Sequence, residues 1–320
     1  MKRAIIAGLF ILAGYAAYIA ITLVFLPPVA DLKIRKNSLN IQVKDWHGAY
    51  HPFVVGPKNR NWTPAGNIPA EMKWSVILAE DANFYKHEGV DVKAIKNAIK
   101  YDLEKKSLAK GASTITQQLA KNLYLSREKT ISRKIKELYL ALRIEQELTK
   151  GRIIELYLNV VELGPMVYGI GNASRYYFGK PPSAMNPREC AFLAAMLPGP
   201  RVAYNPYRNM SKVLRRSDNI LKLLRAKGVL SDEEYGSAMA MAPNINGLQR
   251  KVEESIKKEE SVFANQSSAE SITLLPEKAV GEGASGGALP AQEEKATPPE
   301  NIENPLQQKN PEPEAGQPKQ

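Results

Sequence analysis

The chain has 320 residues, 44% of them hydrophobic, and a formal net charge of +11. Its single cysteine, Cys190, excludes an intramolecular disulfide, and the length allows one large domain or two ordinary ones. Residues 251–320 hold seven Lys, thirteen Glu and neither Asp nor Arg, which leaves +17 on residues 1–250, a balance that expects nucleic acid, phosphate groups or an anionic membrane surface as partner.

Residues 4–26 contain no charge and follow Lys2 and Arg3. As a helix they reach roughly 35 Å, enough for a hydrocarbon core of about 30 Å. The run is longer than a secretory h-region of roughly 7–15 residues, and Leu26-Pro27-Pro28 closes it without a clean small-x-small cleavage site. It reads as an uncleaved transmembrane signal anchor, with residues 1–3 cytoplasmic by the positive-inside rule. The rest of the chain then faces the extracytoplasmic, periplasmic side of the cytoplasmic (inner) membrane. That placement argues against nucleic acid and towards lipid phosphates.

Residues 27–64 read as a linker or extended segment, in which IQVKDW at 41–46 and HPFVV at 51–55 fit either short strands or extended chain. Helical periodicity begins near residue 65 and lasts to about 248. Pro69 opens a helix with Met72, Val76 and Ile77 on one side, and Asp91 caps another carrying Val92, Ile95, Ile99 and Leu103. Ser113 caps the stretch STITQQLAKNLYL. Thr130 caps a long helix with Ile131, Ile135, Leu138 and Leu142 on a single face. Lys150-Gly151 marks a break before IIELYLNVVELG. Residues 187–197, with Cys190 as a small core residue, and 211–227 read as further helices, and Ser231 with Glu234 makes a capping box for the last. The expected fold is all-α. Residues 249–320 are expected to be a disordered acidic tail: residues 251–320 hold eight prolines and one aromatic, Phe263.

Five patches carry candidate chemistry. In AEDANFYKHEGVD, residues 79–91, Glu80 and Asp81 end an apolar helical stretch, where an apolar wall raises a carboxylate's proton affinity and suits it to acid/base work. His87 has no second His or Cys at a metal-ligand spacing. Gly111-Ala112-Ser113 enters a helix rich in neutral hydrogen-bonders, and its free N–H groups offer an anion site. Arg133, Lys134 and Glu137 share a helix surface at spacings of three and four. GRIIELYLNVVELG adds Glu155 and Asn159. YGIGNASRYYFGK, residues 168–180, permits a tight turn before a short helix and lacks the spacing of a dinucleotide fingerprint. Each patch taken alone also has a plain structural reading, as a capped helix, a surface ion pair or a core segment.

Together the patches resemble the peptidoglycan glycosyltransferases (glycosyltransferase family 51, the transglycosylase domain of penicillin-binding proteins). The family pattern EDxxFxxHxG stands here as Glu80 to Gly89, GxSTITQQxxKN as Gly111 to Asn122, RKxxE as Arg133 to Glu137, the IxExYLN-type segment as Ile153 to Asn159, and the fifth as Tyr168 to Lys180. The resemblance covers about residues 65–230. It implies a mainly helical, lysozyme-like fold with two lobes around a cleft. It implies polymerisation of lipid II by inverting β-1,4 transfer, with release of polyprenyl pyrophosphate. By resemblance Glu80 is the base, and Glu137 is the second essential carboxylate, which helps to hold the pyrophosphate. Lys121, Arg133 and Lys134 are the cations around the phosphates, and Ser113, Thr114, Gln117, Gln118 and Asn122 position sugars and phosphates. Asp81, Phe84, His87, Gly111 and Asn159 are carried over as further substrate-binding positions. The resemblance leaves a divalent cation, Mg or Mn, open at Glu137 and implies no organic cofactor. Lipid II, the lipid-linked growing glycan and the cytoplasmic membrane are the implied partners, with room for other cell-wall synthesis or division proteins and none for nucleic acid. SxxK strings and one SDN occur without KTG, so no transpeptidase is expected. The alternatives are a lysozyme-like hydrolase or lytic transglycosylase, and a non-catalytic membrane-anchored scaffold.

Overall fold

The computed structural model describes residues 2–45, 47–105, 113–126, 128 and 130–245. Gly111, Trp46 and the expected tail from 249 onward lie outside the described residues. Among those described, the chain is mainly helical, with ten α-helices and two short antiparallel ribbons.

Helix α1, Lys2–Val24, is long and apolar enough over Ile5–Val24 to cross a membrane. Its large side chains, Phe10, Ile11 and Leu12 among them, are exposed. After a 3-10 turn at Ala30–Lys33, strands β1 (Leu39–Lys44) and β2 (Tyr50–Val55) pair antiparallel, with Leu39 opposite Val55 and Lys44 opposite Tyr50. The segment expected as linker is thus largely built into the fold. Ile41 and Val43 alternate inward with the period of a half-buried strand, and Val29, Leu32 and Val55 join the same core.

Two groups of helices share one contiguous core. The first joins α2 (Ala70–Glu80), α8 (Pro187–Met196), α9 (Pro206–Ala226) and α10 (Asp232–Ala240). Helix α8 is buried all round, so it forms the centre of this group, and Cys190 is one of its buried residues. Its start is fixed by Pro187 at the first turn and by a capping box between Asn186 and Glu189. The Ser231–Glu234 box at α10 is formed as the spacing predicts. Helix α9 begins earlier than its periodicity suggests and kinks at Asn209.

The second group joins α4 (Ile115–Tyr124), α5 (Ile131–Glu147) and α6 (Lys150–Val160). Thr149, not Lys150-Gly151, is the break, because its hydroxyl accepts from Arg152 N and caps α6. Helix α5 is capped by Thr130 as the spacing predicts. Its face of Ile131, Ile135, Leu138 and Leu142 is exposed, and it packs instead through Leu140, Ala141 and Ile144. On α3 (Val92–Lys105), Val92 and Ile99 are likewise exposed. A second ribbon, β3 (Glu162–Gly164) with β4 (Val167–Tyr168), leads through Gly169 at φ +80° into α7 (Ile170–Phe178). A side chain at Gly169 would strike the Asn159 carbonyl, so the turn needs glycine on both counts.

Candidate active site

Glu80 is the last residue of α2, whose Met72, Val76 and Ile77 anchor the helix in the core. The carboxylate stands at the meeting of the two helix groups. Oε2 accepts from Gln118 Nε2 of α4 at 3.1 Å, and Oε1 accepts from Arg216 of α9 at 3.0 Å. Burial pushes its proton affinity above the ordinary carboxylate value. The Gln118 hydrogen bond and the Arg216 and Lys121 charges oppose that rise without cancelling it. A carboxylate offers about four lone-pair sites, so two engaged oxygens still leave room to accept a proton.

Gln118 is itself fixed from behind. The hydroxyl of Tyr157, wholly buried in α6, donates to Gln118 Oε1 at 2.9 Å. Burial, then the nearby Glu80 and Asp81 charges, hold the phenol well above its ordinary proton affinity, so it stays a donor. That bond turns the Gln118 amide so that its N–H groups face Glu80.

Asp81, next in sequence, looks the other way. Its buried carboxylate accepts from Ile115 N at 3.0 Å and from His87 Nε2 at 2.9 Å. Thr114, not Ser113, is the N-cap of α4. Its hydroxyl accepts from Gln117 N, Gln117 Oε1 accepts from Thr114 N, and the same hydroxyl donates to the Gly89 carbonyl at 2.7 Å. The anion expected at this helix start is therefore the protein's own Asp81, and residues 81–89 are stapled to α4. Phe84 is fully buried, with the Lys150 ammonium 4.5 Å over its ring. Asn159 is buried and clasps Thr63 through both backbone groups, at 2.8 Å each. The structure thus brings Asp81, Phe84, His87, Thr114, Gln117 and Asn159 behind the cleft wall, where they position it.

Gln118, Lys121 and Asn122 of α4 line a cleft of about 350 Å³ together with Arg133 of α5, Val43, Glu162 and Tyr168. Arg133 and Lys134 bind Glu137, the buried acid of α5, at 2.6 and 2.5 Å, one on each oxygen. Lys134 also donates to Ser113 at 3.0 Å. Glu137 therefore aims two cations, and the set of Lys121, Arg133, Lys134 and Glu137 keeps a positive balance. A divalent ion fits this arrangement poorly. Both Glu137 oxygens are bonded to cations, and among the described residues no group of three His, Cys, Asp or Glu gathers to hold a metal.

Two contributors lay beyond sequence reasoning. Arg216 is 136 positions from Glu80 and sits in an ordinary basic helix, with no local signal of the pairing. Tyr157 does fall within the fourth motif, though nothing in its apolar surroundings points to a hydroxyl directed at Gln118.

A family model described as Transglycosylase matches residues 49–225. The Biosynthetic peptidoglycan transglycosylase of Nitrosomonas eutropha is 45% identical over 163 residues, covering 51% of this chain and 66% of that protein. Penicillin-binding protein 1A of Escherichia coli is 38% identical over 221 residues, covering 69% of this chain and 26% of that protein. Penicillin-binding protein 4 of Bacillus subtilis is 36% identical over 210 residues, 65% of this chain and 34% of that protein. The matches span from about a quarter to just under two thirds of these relatives.

Proposed function

The chain belongs to the transglycosylase family, and from that premise we propose that it polymerises lipid II into the glycan strands of peptidoglycan. The observation that carries the reading is a carboxylate of raised proton affinity, Glu80, bonded to Gln118, which lines a cleft together with Lys121 and Arg133. In the reaction the 4-hydroxyl of the acceptor's N-acetylglucosamine attacks the anomeric carbon of the lipid-linked glycan. Glu80 takes the hydroxyl proton as the new C–O bond forms. The bond to the polyprenyl pyrophosphate breaks on the opposite face, so the configuration inverts and the linkage is β-1,4. The departing pyrophosphate gains charge, and Lys121, Arg133 and Lys134 are set to stabilise it. Glu137 keeps the last two cations aimed while they are empty of substrate.

A hydrolase would need a positioned water and no anionic leaving group. The cationic wall favours the transferase. Incubation of purified full-length chain with lipid II tests this: polymer supports the reading, and cleavage of finished glycan without polymer overturns it.

We read α1 as a single-pass anchor that leaves the helical domain on the extracytoplasmic side. Lys2 and Arg3 before the apolar run support that orientation. The exposed stripe Ile131, Ile135, Leu138 and Leu142 on α5 supports contact between the domain and the lipid surface. Protease protection of the domain in sealed inside-in and inverted vesicles checks the orientation.

A further inference from the structure

A cavity of about 470 Å³ lies apart from the catalytic cleft and shares no lining residue with it. One wall is Pro27 and Pro28. Pro27 lies three residues beyond Val24, the last residue of α1. If α1 spans the bilayer, that wall falls at the edge of the hydrocarbon core, where headgroups begin. The floor includes Leu32 and Leu156, both buried and apolar.

The polar groups around that floor are unevenly matched. Arg152 is buried, donates to the Leu32 carbonyl at 3.0 Å and pairs with Glu155 at 3.1 Å, so its charge is answered. Glu155 is also bound by Arg35 at 2.6 Å. Lys36 and Lys58 line the cavity with no carboxylate partner among the described residues, and Asp31 is the one acidic residue in the lining. Tyr124 adds a half-buried hydroxyl. Two exposed lysines without a carboxylate partner, in one cavity with the buried Leu32 and Leu156 and close in sequence to the end of α1, match an anion that carries a hydrocarbon tail.

We propose that this cavity holds the anionic headgroup of a membrane phospholipid, with Lys36 and Lys58 on the phosphate and the lipid's apolar end against Leu32 and Leu156. The assignment rests on the reading of α1 as an anchor. The ligand seats the domain against the bilayer at a fixed height, separately from the substrate's own pyrophosphate in the cleft.

The test uses the full-length chain in vesicles of phosphatidylcholine, with and without phosphatidylglycerol. Lipids that remain bound after mild detergent extraction are counted by mass spectrometry. The wild-type chain is expected to retain phosphatidylglycerol preferentially. Lys36→Ala/Lys58→Ala should lower that retention by at least about tenfold, the loss of a charge-assisted contact to a bound phosphate, with the KM for lipid II unchanged. Lys33→Ala/Arg60→Ala removes the same charge outside the cavity and should leave retention intact. Equal loss in both double variants, no loss in the first, or a raised KM for lipid II in the first would each overturn the site. Displacement of the phosphatidylglycerol by inorganic phosphate would make it a free-phosphate site and overturn the lipid assignment. A chain that washes off phosphatidylcholine vesicles altogether overturns the anchor and this site with it. A chain that stays on them and shows no preference for phosphatidylglycerol overturns the site alone.

Discussion

Glu80 and Arg216 form an ion pair of 3.0 Å between the last residue of α2 and the middle of α9, with both side chains largely shielded from solvent. The pair has two effects on a base. It fixes the carboxylate beside Gln118, and it restrains the rise in proton affinity that burial causes. A carboxylate of raised proton affinity is a better base once ionised, though it is ionised only at higher pH.

Arg216→Ala is expected to move the acid limb of the pH–rate profile of lipid II polymerisation to higher pH. The sign follows from the loss of a cation that favours the ionised form. On that limb the rate should fall about tenfold, as for the loss of one charge-assisted hydrogen bond. Arg216→Lys should recover most of it. A profile that falls in height with no change in the position of its acid limb would contradict the electrostatic role.

Tyr157→Phe tests the support behind Gln118. Loss of the hydroxyl frees the Gln118 amide to rotate and leaves Oε1 unpaired, at about 1 kcal/mol of stability. The turnover rate should fall while the KM for lipid II holds, because the residue touches Gln118 and not the cleft. Unchanged turnover alongside a lowered Tm would assign Tyr157 to the core alone.

Asp81→Asn should weaken the staple between residues 81–89 and the start of α4. Asn still accepts from Ile115 N but loses the charge that holds His87. The expected cost is about 1–3 kcal/mol, read as a lower denaturation midpoint, with kcat reduced and KM kept. A large rise in KM instead would mean that Asp81 reaches substrate.

Glu137→Gln removes the counter-charge of Arg133 and Lys134. Arg133 is mostly buried and Lys134 half exposed, so the expected loss of stability lies at or below about 3 kcal/mol. Adding Arg133→Ala should restore part of the stability and none of the activity, because that cation is itself needed. Restored polymerisation in the double variant would place the cations outside the chemistry.

The sequence was most legible where a local rule suffices. The polar run at 113–124 announces a helix that serves a site, and Gln118, Lys121 and Asn122 are the members that face the cleft. The same rules misplace details that long-range contacts decide. Thr114 outcompetes Ser113 as cap because its hydroxyl also reaches Gly89, 25 positions away. The apolar stripe on α5 follows helical period faithfully, yet a period cannot distinguish a face turned to the core from one turned outward. Ile41 and Val43 carry the strand alternation, but two strands gain their place only through packing on the helices. Arg216 reaches Glu80 solely through the packing of α9 on α2, which no local pattern encodes.

The central claim is that Glu80 is the base of glycan polymerisation, and the direct measurement is the initial rate of lipid II polymerisation by full-length wild type and Glu80→Gln, with lipid II binding measured alongside. Loss of a general base predicts a fall of about 10²–10⁴-fold in rate with binding retained; polymerisation by Glu80→Gln at the wild-type rate would contradict the account.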